Sequence, residues 1–321
     1  MSNKKNILVI GASGSLGSGI CSELRNKYSI YGTYCNNKIE KENITYLKLD
    51  ITKKESFNSI KEKFFDTVVL IAGAMPATME GYDPERYIDV NIYGTLNVLE
   101  FCRKNNVKKI IYIMTFSDRY EYFYSGIPIP ADEKVSLNYT GDHSIYSISK
   151  VTACELIEHY HQQYELQTII FRIPTVYCYD DKINYYVDGE LCTKAYIKMI
   201  KNVIHDKKIE IWGNKENSKD MPYIKDFAEL ISLAIENNNA QGIYNAGTSD
   251  PISLENFANA IIKVFGNNNH IEKIYKETEI SQPNFTFDMK KTFETFSYKP
   301  KYKIEDILED IKKNIKKDLL Y

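Results

Sequence analysis

Ile7-Leu8-Val9-Ile10 is a continuous apolar run that ends in Gly11-Ala12-Ser13-Gly14-Ser15-Leu16-Gly17 and passes into an amphipathic segment reaching residue 27. An unbroken apolar run suits a strand covered on both faces of a parallel sheet. Glycines after such a strand let the backbone approach a pyrophosphate, and the N-terminus of the following helix supplies free N–H groups and positive potential. The pattern predicts a dinucleotide-binding turn with Gly11, Ser13, Gly14, Ser15, Leu16 and Gly17 as its contact residues. An ordinary strand-to-helix turn is the plain alternative, and the flanking strand and helix favour the phosphate site.

The alternation continues, with strands expected at 28–34, 44–49, 67–72 and 109–114 between longer helical stretches, the pattern of a doubly wound α/β sheet. Residues just after the second strand should meet the adenosine ribose. An NAD site usually places a carboxylate there; this chain has Cys35-Asn36-Asn37-Lys38. No carboxylate repels a 2′-phosphate and Lys38 can approach one, so the expected coenzyme is NAD(P) with a lean toward NADP; the plain reading leaves Lys38 facing water. Asp50 is placed to accept from an adenine amino group, or to cap the helix expected to reach residue 65. Ala72, Gly73 and Ala74 close the fourth strand and are small enough to pack against a coenzyme. A helix over 84–105 carries Asn91, either a buried amide orienting its neighbours or the partner of a helix distortion allowed by Gly94. The fifth strand runs out into Thr115-Phe116-Ser117-Asp118-Arg119, at the sheet edge where ligands bind.

Tyr146-Ser147-Ile148-Ser149-Lys150 opens a helical stretch whose apolar residues recur at Ile148, Val151, Leu156 and Ile157. That spacing sets Tyr146 and Lys150 one turn apart on one face. A free tyrosine titrates near pH ~10, and a fixed cation beside it favours the phenolate. Tyr146 is thus a candidate acid/base, with Thr115 or Ser117 donating to a substrate oxygen beside it. With 26 tyrosines in the chain such a pair can arise by chance, so the weight rests on what surrounds it.

A net charge of −2 with acids and bases interspersed gives no footprint for nucleic acid, and the lysines of 312–317 read as the solvated face of a terminal helix. No apolar run reaches the ~18 residues of a membrane span, and no signal-peptide pattern is present, so a cytoplasmic protein without membrane contact is expected. Cys21, Cys35, Cys102, Cys154, Cys178 and Cys192 form no C-x-x-C pair and read as reduced thiols. The histidines lack ligand spacing, and no metal is expected.

The ordered set G-x-x-G-x-x-G, Asp50-Ile51, Ala72-Gly73-Ala74, Asn91-x-x-Gly94-Thr95, a hydroxyl after the fifth strand and Tyr146-x-x-x-Lys150 resembles the extended short-chain dehydrogenase/reductase family, in its nucleotide-sugar epimerase and dehydratase branch. Phe171-Arg172-Ile173-Pro174-Thr175-Val176-Tyr177, Lys219-Asp220-Met221-Pro222-Tyr223-Ile224-Lys225-Asp226 and Tyr244-Asn245-Ala246-Gly247 are similar to later motifs of that branch. The resemblance implies a Rossmann-like domain over 1–175 and a smaller α/β substrate-binding region over 176–321, whose last helices pack back on the core. It implies that Tyr146 exchanges a proton with the sugar, that Lys150 holds the nicotinamide ribose and lowers the Tyr146 pKa, and that Ser117 hydrogen-bonds the reacting oxygen. Asp50 and Ile51, Asn91, Ile173 and Pro174 would line the coenzyme, and Thr175 and Lys219 would approach the substrate phosphates. A lysine at 219 gives charge without the bidentate fork of the usual arginine. Trp212 and Asp226 occupy family positions, with a core role for Trp212 and a helix cap for Asp226 as plain alternatives.

Departures bear on the reaction. Dehydratases of this branch carry Asp-Glu after the catalytic hydroxyl, whereas this chain has Asp118-Arg119, and an arginine cannot be that base unless Glu121 substitutes. The 117–146 interval is longer than usual, which leaves Thr115 as a rival of Ser117. Cys178 near the site lacks a matching histidine and reads as inert. Beyond it a polar stretch at 181–190, helices at 192–206, 223–237 and 304–319, a strand at 209–212 and a helix starting at Ser253 are expected; Tyr185, Tyr186 and Tyr196 could stack on a nucleobase. The expected function is an NAD(P)-dependent epimerase or 4-keto reductase acting on a nucleotide-linked sugar. A 4,6-dehydratase or a non-catalytic dinucleotide sensor is the alternative. A homodimer through the helices bearing Asn91 and Tyr146 is expected by resemblance.

Overall fold

The computed structural model describes residues 4–60, 64–278 and 284–321. The first part of the chain runs β1 (Asn6–Ile10), α1 (Ser15–Leu24), β2 (Ser29–Tyr34), β3 (Ile44–Lys48), β4 (Thr67–Leu70), α2 (Pro84–Tyr87), α3 (Gly94–Lys104), β5 (Lys109–Thr115), α4 (Asp142–Tyr164) and β6 (Gln167–Ile173). The second part runs β7 (Asn184–Val187), β8 (Glu190–Thr193), α5 (Ala195–His205), β9 (Lys208–Trp212), β10 (Ser218–Lys219), α6 (Ile224–Glu236), β11 (Gly242–Asn245), β12 (Ile252–Ser253), α7 (Leu254–Phe265), β13 (Glu272–Lys276), α8 (Lys290–Phe296) and α9 (Ile304–Asn314).

Seven strands form one sheet in the order β11-β6-β5-β4-β1-β2-β3, every pair parallel. This is a Rossmann-like doubly wound sheet, and β1 shows why its strands read as unbroken apolar runs. Ile7 and Val9 face one core with Ile20 of α1 and Phe227 of α6, whereas Leu8 and Ile10 face the other with Val98 and Leu99 of α3 and Ile157 of α4. Strand residues alternate between faces, so a two-sided core demands apolar side chains at every position. Each such side chain contributes about 1.5–3 kcal/mol by leaving water.

After β6 the chain returns to this unit. β11 pairs with β6, and α6 lies so close to α1 that a Cβ on Gly19 would fall 2.3 Å from Ile224 Cγ1. Of the remaining small sheets, β9-β13 packs with α5 and α7, β10-β12 packs with α7, which α9 covers, and β7-β8 packs on the turn over Pro76–Thr78 after β4. No helix among the described residues is long and apolar enough to cross a membrane.

Several elements differ from expectation. Of the helix expected to reach residue 65, residues 61–63 lie outside the described ones; its first part is a 3-10 turn over Lys54–Ser59, and Asp50 Oδ1 closes a local turn on Thr52 N (3.1 Å) and Oγ1 (2.7 Å) instead of starting an α-helix. The 84–105 stretch is α2 and α3 joined by a π-helical turn over Ile88–Tyr93. Cys192 lies in β8 and the helix begins at Ala195, since Asp188 (φ 48°) and Gly189 (φ 84°) form a tight turn that pairs β7 with β8. Two consecutive left-handed residues are the hairpin turn for which Asp-Gly is suited. Ser253 caps α7 by accepting from Asn256 N (3.2 Å), as its position suggested. The closing helix stops at Asn314, followed by a 3-10 turn over Lys317–Leu319.

Candidate active site

The turn after β1 is built around two glycines that tolerate no side chain. Gly11 has φ +97°, and a Cβ there would lie 2.7 Å from Ala72 N, while a Cβ on Gly17 would lie 2.3 Å from Gly11 O. The backbone after β1 is thereby pressed against the backbone after β4. α1 starts at Ser15 behind Gly14 with no capping side chain and no carboxylate in its first turn. Its leading N–H groups are open to an anion, so the turn fits the pyrophosphate of a dinucleotide. Ser13 and Leu16 are half-buried in the same turn.

Asn36 and Lys38 follow β2 and are exposed, and Lys38 pairs with Glu40 at 2.5 Å. Asp50 is occupied by the Thr52 turn. Ile51 packs beneath α3, where a Cβ on Gly94 would meet Ile51 Cδ1 at 2.7 Å. Asn91 lies in the π-helical turn and is fully used: its Oδ1 accepts from Ala74 N (2.8 Å), and its Nδ2 donates to Ala74 O (3.0 Å) and Ser149 Oγ (2.9 Å). Both readings of Asn91 meet here, because the distorted turn is what aims the amide at the Gly73–Ala74 backbone. Its polar atoms hold the floor of the cleft instead of facing a coenzyme.

Tyr146 and Lys150 project from α4 beside the ends of β4 and β5. The Lys150 ammonium donates to Ile113 O (2.7 Å), sits 4.1 Å from the centroid of the Tyr112 ring, and lies 3.9 Å from where a Gly73 side chain would begin. Burial pulls Lys150 down to about 8. Burial also pushes the Tyr146 phenol up to about 12. The expected lowering of Tyr146 by the neighbouring ammonium is not what this arrangement gives: Lys150 turns to the carbonyl of β5 and the phenol turns to Thr115.

Three hydroxyls extend from there. Thr115 Oγ1 lies 2.9 Å from Ser117 Oγ, Ser117 Oγ lies 2.6 Å from Ser147 Oγ, and Ser147 donates to His143 O (2.8 Å). Each hydroxyl carries one proton. Because the last proton goes to a carbonyl, Ser117 donates to Ser147 and Thr115 donates to Ser117, which leaves a Thr115 lone pair for the phenol. Thr115 is thus the hydroxyl next to Tyr146, and Ser117 stands one step back. Thr115→Val is therefore expected to lower turnover by at least about tenfold more than Ser117→Ala, read as kcat for the two variants. The reverse order would return the inner role to Ser117.

Asp118 and Arg119 are buried in an ion cluster that sequence reading did not find. Arg172 grips Asp118 with two bonds, Nε to Oδ1 and Nη2 to Oδ2, each 2.9 Å, and Arg119 Nη1 donates to the same carboxylate at 2.8 Å. Arg172 Nη1 also donates to Asn245 Oδ1 (2.9 Å). Charged side chains in the apolar run of β6 and just after β5 were the available signal, since such residues stay buried only when paired.

On the far side of the cleft Ile173 is half-buried, Pro174 buried and Thr175 exposed. Lys219 is half-buried in β10, and burial lowers its pKa. Trp212 is 56% exposed and hence not a core residue. Asp226 does not cap α6; its two oxygens accept from Lys301 N (2.9 Å) and Tyr302 N (3.1 Å) and fasten the approach to α9. Tyr196 packs on Tyr177 at 5.4 Å between centroids. Among the described residues no group of histidine, cysteine and carboxylate side chains is placed to hold a metal.

A parallel sheet in this order, with a glycine turn after β1 and a tyrosine and lysine one turn apart on α4, defines the class of Rossmann-fold short-chain dehydrogenase/reductase enzymes. The chain belongs to the NAD dependent epimerase/dehydratase family, whose profile matches residues 7–247, and is an enzyme of that family. An uncharacterised protein of Methanocaldococcus jannaschii is 30% identical over 94% of this chain and 93% of its own length. UDP-glucuronate 4-epimerase of Thermodesulfobacterium geofontis is 25% identical over 84% of this chain and 79% of its own. Among solved structures, the UDP-glucose 4-epimerase of Thermotoga maritima with UDP-glucose superposes with TM-score 0.79 at 22% identity, over 96% of this chain and 97% of that one.

Proposed function

We propose that this enzyme uses NAD(P) to move a hydride at a ring carbon of a nucleotide-linked sugar, as a C4 epimerase or a 4-keto reductase, with Tyr146 as the acid/base. The observation that carries the reading is the contrast between an uncommitted phenol and a committed carboxylate: Tyr146 is half-buried with its oxygen beside Thr115, while Asp118 is held on both oxygens by Arg172 and Arg119. Oxidation and reduction of an alcohol need one proton moved at one oxygen. Dehydration needs in addition a base to remove a carbon-bound proton and an acid to release a hydroxyl. Arg119 cannot be that base, and Asp118 is already committed.

Bound nicotinamide would accept or supply the hydride. As the phenolate, which the positive charge of an oxidised nicotinamide beside it would favour, Tyr146 would take the proton of the sugar hydroxyl as its carbon is oxidised; as the phenol, which donates to Thr115, it would return the proton on reduction. Lys150 would reach the nicotinamide ribose from above Gly73. Gly11 to Gly17 and the α1 N-terminus would hold the pyrophosphate, and Ile173 and Pro174 would wall the nicotinamide. Thr175 and Lys219, in the region from 176 onward and at its border, would meet the sugar-nucleotide phosphates. The end of β2 offers Asn36 and Lys38 and no carboxylate before Glu40, which supports NADP over NAD. A homodimer would form through the helical stretches bearing Asn91 and Tyr146, a prediction for sedimentation to check.

The test combines purified protein with NADH or NADPH and a panel of nucleotide sugars and their 4-keto forms, following reduced-nicotinamide absorbance and sugar products together. Stoichiometric loss of reduced coenzyme identifies a reductase, and product without net loss identifies an epimerase. A product lacking water overturns the reading of Asp118 and Arg119. Coenzyme binding with no conversion of any sugar favours a sensor. NADH bound as tightly as NADPH overturns the coenzyme preference.

A further inference from the structure

The segment after β6 does not lead straight into the substrate region. In the sheet order β6 is followed by β5, β4 and β1, and the chain leaving β6 reaches α1 and the loops after β1 and β4 before α5. Its contacts trace the path. Tyr179 Oη donates to Glu23 Oε1 on α1 (2.5 Å), and the Lys182 ammonium donates to Ser13 O (2.5 Å), inside the glycine turn after β1. The chain then doubles back as the β7-β8 hairpin, whose turn lies on the loop after β4: a Cβ on Gly189 would fall 2.8 Å from Glu80 O. β7 itself packs on the 3-10 turn over Pro76–Thr78 in that loop.

The base of this segment is fastened on both sides. Asp180 Oδ1 accepts from Lys182 N (3.1 Å), a local turn that sends the lysine toward α1. Asp181 accepts from Lys316 N (3.0 Å) and pairs with the Lys316 ammonium (3.1 Å), tying the segment to the chain after α9. Lys194 N donates to Ile183 O (2.8 Å) where the hairpin closes.

We propose that residues 179–193 are a strap across the dinucleotide cleft and that Lys182 is a pyrophosphate-binding residue, so that the coenzyme is retained between turnovers. The inference rests on the reading that the cleft holds a nicotinamide dinucleotide. An ammonium has three donors, and Ser13 O uses one. Ser13 stands two residues before the start of α1, so a pyrophosphate bound in this turn would meet the N–H groups of α1 and the Lys182 ammonium together. The hairpin carries Asp188 and Glu190 and no cation, so it offers the phosphates nothing; its role is to hold the crossing segment down on the β4 loop. Retention suits an enzyme whose hydride returns to the same sugar, and the strap thereby favours the epimerase over the reductase, which must exchange its coenzyme at every turnover.

The experiment measures the dissociation rate of NADPH and of NADH by stopped-flow displacement, following nicotinamide fluorescence, for the full chain and for Lys182→Ala and Lys182→Arg. Thermal unfolding of each coenzyme-free protein serves as the fold control. Lys182→Ala is expected to release the bound coenzyme at least about tenfold faster, and Lys182→Arg to stay within about threefold of the parent, because charge is what holds the phosphates. Unchanged release in Lys182→Ala overturns the proposal, as does equal acceleration in both variants, which would mean that the lysine acts by packing. A Lys182→Ala protein with a lowered unfolding midpoint is judged by the Lys182→Arg result together with the salt dependence of release in the parent. Release that quickens with salt supports the charge contact, and release indifferent to salt overturns it. The readout is coenzyme release and not turnover. A strap that depends on Lys182 in a protein converting no sugar would therefore sink the reaction and leave the strap standing, and the opposite result would sink the strap alone.

Discussion

Tyr146→Phe is expected to lower kcat by about two to four orders of magnitude, the usual worth of a positioned acid/base, while coenzyme affinity stays near that of the parent. The substitution removes one oxygen and little else. The ring keeps its place beside Tyr87, whose centroid lies 6.2 Å away, and α4 keeps Ser147, Ser149 and Lys150 in register. Thr115 retains its bond to Ser117, so no buried hydroxyl is stranded. What disappears is the group that exchanges a proton with the sugar. Measurement of kcat beside the coenzyme dissociation constant separates the outcomes. Loss of both together would signal a collapsed cleft, and a loss in kcat below about tenfold would move the acid/base role away from Tyr146.

Arg172→Met is expected to cost about 3–5 kcal/mol of stability, the range found when one partner of a buried ion pair is removed. Arg172 is wholly buried and anchors three things at once: the Asp118 carboxylate after β5, the Ala131 carbonyl (3.2 Å), and Asn245 at the end of β11. Without it Asp118 keeps only Arg119, and Asn245 loses an acceptor contact while still donating to Ile129 O and Asp288 O. Denaturant unfolding followed by circular dichroism reads the loss. The double variant Arg172→Met/Asp118→Leu is expected to recover part of it, since removing both charges spares the cost of burying one alone. A single-variant cost under about 1 kcal/mol would show that Arg119 satisfies Asp118 unaided. Kinetics of Asp118→Asn bears on the reaction, for a carboxylate that only organises the ends of β5 and β6 is needed for stability and not for proton transfer.

Much of this architecture was legible in the chain because its causes are local. The unbroken apolar run of β1 follows from burial on both faces, and Gly11 and Gly17 are required by backbone contacts within one turn and across to the neighbouring strand. Tyr146 and Lys150 share a face because a helix returns every ~3.6 residues. Ser253 could be placed at a helix start from its own side chain. The Asp188-Gly189 turn is equally local, but the polar residues around it give the flanking strands no clear alternation, so the sequence alone reads there as a loop running into a helix at Cys192.

The remainder was decided by contacts between distant segments. Asp118 and Arg172 stand 54 residues apart and meet only because β5 and β6 are neighbours; adjacency in the sequence suggested nothing about the carboxylate's availability. The order of Thr115 and Ser117 beside Tyr146 depends on Ser147 of α4 claiming the Ser117 hydroxyl. Lys150 faces a cation's most natural neighbour in sequence, a phenol one turn away, yet its ammonium goes to Ile113 O because β5 passes closer. Sequence determined which strands and helices form and which side chains carry chemistry, through period, propensity and backbone freedom. The packing of those elements determined which of the chemical groups are spent on one another and which are left to act, because hydrogen-bond capacity is settled by proximity in space.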